Sequence, residues 1–127
     1  KVTAEGGGAV ADQMLPKLLG ATTQQEQPDL TDAVRTLILR NSPEAVASAV
    51  RAMKTRPDST PDLAGITCPT LVICGTEDVL TPPTESAAMA ERVPSAQAVF
   101  IPKAGHLSNL EAPLAFNEAL HAFLSTL

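Results

Sequence analysis

Aromatic side chains are nearly missing from this chain, which has three Phe and neither Trp nor Tyr. A stacking platform for bases or sugars needs several rings, so none can be assembled here. Basic clusters are missing as well. Nine Lys and Arg stand against 14 Asp and Glu, which makes nucleic acid a poor partner. Cysteine is scarce: Cys68 and Cys74 lie six positions apart on an extended segment. That spacing separates their Cα atoms by roughly 20 Å, whereas a disulfide needs less than about 7 Å. Free thiols and the lack of a leader-like segment predict a cytoplasmic protein. No apolar run approaches the roughly 20 residues of a membrane span, so no membrane partner is expected. Neither His-Glu-x-x-His nor a Cys/His cluster at ligand spacing occurs, so no metal or cofactor is expected. No internal repeat or low-complexity tract is present. What the chain does have is 44% hydrophobic residues over 127 positions, enough for one ordinary core.

The informative stretch is Cys68–Asp78, Cys-Pro-Thr-Leu-Val-Ile-Cys-Gly-Thr-Glu-Asp, followed by Val79-Leu80-Thr81-Pro82-Pro83. Thr70–Cys74 is a short apolar run, β-branched at three of five positions and without alternation. Such a run reads as a strand of a mainly parallel sheet, buried on both faces. The chain leaving its carboxyl end enters the region where open α/β sheets hold their sites. Asp78 lies there, and two readings are open for it: a turn or capping residue, or a carboxylate that orients a histidine.

A second feature follows 28 residues later. Ala98–Ile101 is another short apolar run, with Thr84–Val93 between as a plausible helix, and Ala104-Gly105-His106-Leu107-Ser108-Asn109-Leu110-Glu111 comes next. Strand, helix, strand at this spacing is a right-handed crossover with parallel strands. Asp78 and His106 would then leave neighbouring strands at one sheet edge, where an imidazole finds an acceptor to fix its tautomer. Ser108 and Glu111 are expected to satisfy backbone groups of the loop, and Glu111 also suits the helix start near Pro113.

With these motifs, residues 62–127 resemble the C-terminal part of an α/β-hydrolase, and the loop after the second strand resembles that of enol-lactone hydrolases such as 3-oxoadipate enol-lactonase. Members of that fold order their triad as nucleophile, acid, histidine. The resemblance implies an α/β fold, a helical lid followed by a parallel strand-helix-strand-helix unit, with Asp78 as triad acid and His106 as base. It implies a small ester or lactone substrate and no cofactor. One departure is plain: no Gly-x-Ser-x-Gly elbow and no glycine-rich oxyanion turn occurs in the 127 residues. Cys74, inside the first strand, reads as a small buried hydrophobe. The nucleophile of such an enzyme precedes the acid, so the chain is expected to be a hydrolase fragment, inactive alone. Two alternatives stand beside it: a non-catalytic binding module of the same fold, and a subunit completed by a partner chain carrying the nucleophile. Other chemistry on the same fold, such as C–C bond hydrolysis or dehalogenation, would be told apart by that nucleophile.

The rest of the chain is expected to be helical. Lys1–Gly8, without an initiating Met, fits a cut boundary, with Gly6-Gly7-Gly8 as a flexible entry to a helix over Ala9–Leu19. Ala21–Pro28 reads as a polar loop. A helix near Asp29–Arg40 carries an apolar stripe of Leu30, Ala33, Val34, Leu37 and Ile38. Ser42 caps a further helix with Pro43 at its first position, running to before Pro57. On the resemblance, residues 1–56 are expected to form the lid, 57–61 a connector and 62–127 the core part. Met14, Leu18, Leu37 and Met53 are candidates for a pocket, against the plainer reading of helix–helix core. The last helix, Pro113–Leu127, places Phe116, Leu120, Phe123 and Leu124 on one side for packing on a sheet; His121 is expected at its surface. Only two strands are expected, so the sheet edges should bring self-association or binding of the missing N-terminal half.

Overall fold

The computed structural model describes residues 2–127, with side chains from Gly8 onward. Four helices come first: α1 (Val2–Leu18), α2 (Ala21–Glu26), α3 (Pro28–Leu39) and α4 (Pro43–Thr55). A 3₁₀ turn over Thr60–Gly65 leads into β1 (Thr70–Gly75), α5 (Pro83–Arg92), β2 (Ala96–Ile101), the single turn α6 (Ser108–Glu111) and α7 (Pro113–Leu124). The two strands pair in parallel, from Thr70 opposite Ala96 to Gly75 opposite Ile101. The crossover read from the sequence is therefore present, with each strand one or two residues longer than its apolar run.

Local chemistry explains most helix ends. Pro occupies the first turn of α3, α4, α5 and α7, where its missing N–H costs nothing. The Ser42 hydroxyl accepts from Ala45 N at 3.2 Å, the cap expected from Asn41-Ser42-Pro43. Leu15, Leu19 and Val34 form the buried centre of the helical segment, with Leu30, Ile38 and Leu107 packed on it.

Several expectations need correction. Ala21–Glu26 is a helix and not a loop. Its residue Gly20 has no capping side chain, but Thr22 N donates to Glu77 Oε2 at 2.8 Å and Thr22 Oγ1 to Glu77 Oε1. The cap comes from 55 residues away, where no local pattern can reveal it. Gly6-Gly7-Gly8 lies within α1 and is not an entry to it. Glycine weakens a helix by roughly 0.5–1 kcal/mol per residue relative to Ala, which is not enough to forbid one. The strands are not buried on both faces: β1 is mostly half-buried, and Phe100 of β2 is exposed. The two strands pack chiefly on α5 and α7, which do not cover both of their faces among the described residues. Likewise the stripe on α7 is incompletely covered, with Leu120 and Leu124 exposed.

The loops beyond the two strands stay paired. Thr76 N donates to Ile101 O at 2.9 Å and Glu77 N to Ala104 O at 2.8 Å. Lys103 makes this possible by adopting φ 57°, a left-handed conformation that is strained for a side chain of its kind. Gly75 is needed where the loops cross, because a Cβ there would stand 2.1 Å from Ala104 O and 2.3 Å from Gly105 O. Gly105 in turn lies against the helical segment, where a Cβ would stand 2.3 Å from Gly20 N.

Candidate active site

Asp78 follows β1 by three residues and His106 follows β2 by five, so the parallel register delivers both to one end of the sheet. His106 Nδ1 lies 2.9 Å from Asp78 Oδ2. Asp78 is buried, while the imidazole side chain keeps 36% of its surface open. A carboxylate fixed beneath a half-open imidazole is the arrangement that holds one ring nitrogen and leaves the other for a reacting group.

Four hydrogen bonds hold the carboxylate. Oδ1 accepts from Leu80 N at 2.9 Å and Thr81 N at 3.0 Å. Oδ2 accepts from Thr81 Oγ1 at 2.8 Å and meets the His106 ring. Burial pushes the Asp78 carboxyl up, but the Thr81 N–H, the His106 ring, the Thr81 hydroxyl and the Leu80 N–H together outweigh it and hold it below the ordinary carboxylate range. One oxygen of Asp78 thus takes the amides of the turn, and the other meets the imidazole ring. Thr81, passed over in the sequence, also lies 3.3 Å from His106 Nδ1. Its only signal is its place directly after the Asx turn that Asp78 makes with Leu80 N.

The neighbouring acids are occupied elsewhere. Glu77 faces Thr22, whose hydroxyl and N–H hold its carboxyl below the ordinary value against a small opposing effect of burial. Glu111 is buried and accepts from Gly105 N, Leu107 N and Gly20 N, so its expected loop bonds are present and extend to the helical segment. Ser108 is buried at the start of α6. His121 is exposed on α7. Cys74 is buried and Cys68 exposed, both as free thiols. Among the described residues no three His, Cys, Asp or Glu side chains converge as metal ligands, and no helix is long and apolar enough to cross a membrane.

An apolar groove of about 390 Å³ opens between α1, α3 and α4. Met14, Leu18 and Met53 line it, together with Ile38, Val46 and Val50. Leu37 does not: it is half exposed. Leu18 also joins the groove to the histidine loop, since its carbonyl accepts from Leu107 N at 3.2 Å.

The fold of the chain is shared with known proteins. A thermophilic esterase from Thermogutta terrifontis superposes with a TM-score of 0.93 and 41% identity, over 98% of this chain and 46% of its own. The enol-lactonase from Burkholderia xenovorans LB400 does so with a TM-score of 0.89 and 31% identity, over 98% and 47%. A curated relative named "Putative carbamate hydrolase RutD", from Pseudomonas syringae pv. syringae (strain B728a), is 42% identical over 69 residues, 54% of this chain and 27% of that protein. The chain therefore spans about a quarter of that relative and just under half of each solved neighbour. The pattern of the alpha/beta hydrolase family covers residues 4–119, and the chain belongs to that family.

Proposed function

We propose that this chain carries the acid and the base of a hydrolase triad, Asp78 and His106, and acts on a small ester or lactone once a nucleophile is supplied from outside its 127 residues. The observation that carries the reading is the 2.9 Å contact between His106 Nδ1 and a buried, fully hydrogen-bonded Asp78 carboxylate. With Nδ1 held, Nε2 is the nitrogen left to take the proton of an attacking hydroxyl as its oxygen bonds the substrate carbonyl. The same proton then passes to the departing alkoxide, and water repeats the exchange to free the acid. Asp78 stays ionised throughout and stabilises the imidazolium.

Ester or lactone chemistry is favoured because the esterase and the enol-lactonase share the fold over nearly the whole chain. In this reading the chain is the C-terminal half of the fold, α1–α4 are the lid, residues 57–61 the connector and 62–127 the core part. The groove beside Leu18 receives the apolar part of the substrate. Two free cysteines favour a cytoplasmic setting. The test is turnover of p-nitrophenyl acetate. The 127 residues alone should give no acyl burst above a His106→Ala control, and the natural protein carrying them should lose turnover in that variant. Activity that survives His106→Ala in the natural protein would sink the reading.

A further inference from the structure

Glu111 is 5% exposed, and among the described residues no cation lies within ion-pair distance of it. A buried carboxylate is costly unless hydrogen bonds replace its water. Here the replacements are all main-chain amides. Oε1 accepts from Gly105 N at 2.9 Å and Leu107 N at 3.1 Å, the two amides that flank His106. Oε2 accepts from Gly20 N at 2.8 Å, across 91 residues. The side chain reaches them because α6 is a single turn in which Glu111 N bonds Leu107 O, and helical side chains lean toward the N-terminal end. Amides gathered on one oxygen form a small anion-binding concavity of the backbone. The concavity has His106 as its middle residue.

We propose that Glu111 is the positioning residue of His106: one oxygen fixes the main chain on both sides of the histidine, and the other ties that loop to the junction of α1 and α2. The proposal rests on His106 being the catalytic base. Asp78 holds the ring, and Glu111 holds the backbone from which the ring projects. Three donors divided over two oxygens suit a carboxylate, since an amide offers only one acceptor. The bond from Gly20 N brings Glu111 to the point where the loop and the helical segment touch, since Gly20 and Gly105 meet with no room for a Cβ.

The test uses the natural protein that contains this chain, with two variants and two readouts. Glu111→Ala removes all three bonds. Its kcat should fall about 10²-fold with KM nearly unchanged, the scale of loss for a catalytic group displaced by about 1 Å. The downfield proton signal of the His106 Nδ1–H bonded to Asp78 should disappear with it. Glu111→Gln can keep its oxygen on Gly105 and Leu107 while its NH₂ faces Gly20 N–H. It should keep the His106 signal and remain within about tenfold of the parent kcat, because the loop geometry that sets the reaction is retained. A purely structural Glu111 would lower the melting point of both variants without changing the signal or the turnover of the folded protein. A folded Glu111→Ala with parental kcat and signal overturns the proposal. Should Glu111→Ala not fold, amide exchange in Glu111→Gln decides. Faster exchange at Gly20 alone supports the proposal, whereas faster exchange at Gly105 and Leu107 with an intact His106 signal overturns it. Failure of the catalytic reading shows separately, as turnover that survives His106→Ala, while the ring signal still reports on Glu111.

Discussion

The Thr81 hydroxyl donates to Asp78 Oδ2 over 2.8 Å, the same oxygen that meets the His106 ring at 2.9 Å. The acid is therefore held by a side chain as well as by its turn. Thr81→Val keeps the shape and removes that donor. We predict a loss of about 1–2 kcal/mol in stability, the range for a hydrogen bond to a charged group discounted for partial exposure. Thr81→Ser should restore it. Urea midpoints of the three proteins check this, and equal midpoints for Val and Thr would mean that the hydroxyl contributes nothing.

Substitutions at the pair itself should separate its members from the other histidine. In the natural protein, Asp78→Asn is predicted to leave the fold in place but favour the wrong imidazole tautomer, costing up to about 10⁴ in turnover. His106→Ala should be at least as severe. His121→Ala, at an exposed position on α7, should change little. Near-parental turnover in Asp78→Asn would reassign the acid, although Glu77 is already bonded to Thr22.

Acid should weaken the natural protein in a defined window. Asp78 and Glu77 are both held below their ordinary values of 3.8 and 4.5. A carboxyl depressed in the folded state binds its proton first in the unfolded state, so its stabilisation is complete above the ordinary value. That stabilisation is then lost as pH falls through the lowered folded value. We predict a melting point level above about pH 5 and falling below about pH 4. Glu77→Ala should lower the plateau and flatten part of the fall. An unchanged slope in that variant would contradict the assignment to Glu77.

The strand–helix–strand unit was legible because its signals are local. Thr70–Cys74 and Ala98–Ile101 are continuous apolar runs, and the Pro pair at 82–83 marks a helix start. The meeting of Asp78 with His106 followed from parallel pairing alone, since equal strands end at the same edge. What stayed hidden depended on distant partners. Helix α2 looked like a loop because its cap is the Glu77 carboxylate. Leu37 matches a stripe by period, yet the stripe includes more residues than α3 buries: Val34 is buried and Leu37 is half exposed. The strands are less buried than their sequence implies, because a run of apolar residues records the cover a sheet requires, not whether these residues supply it.

That shortfall in cover predicts the behaviour of the isolated chain. Phe100, Leu120 and Leu124 are exposed, and Leu114 is 79% open. With parallel strand edges also unpaired, the 127 residues alone should self-associate at micromolar concentration or bind the rest of the fold when it is supplied. Sedimentation at several dilutions, with and without that partner, reads this directly. A monomer that unfolds cooperatively would contradict it.

Among the described residues, every hydrogen bond between the helical segment and the strand-bearing part leaves Leu18, Gly20, Thr22 or Gln27. The hydrogen-bonded seam is narrow, and α3 and α4 contribute no hydrogen bond to it; α3 meets the histidine loop through the apolar cluster of Leu15, Leu19 and Val34 on which Leu107 packs. Mutations that recut the groove through Val46, Val50 or Met53 of α4 can therefore accumulate without disturbing the supports of Asp78 and His106. Over evolutionary time, ligand preference and catalytic geometry are free to diverge at different rates. Natural variation should be wide on α4 and narrow across the few residues of the seam.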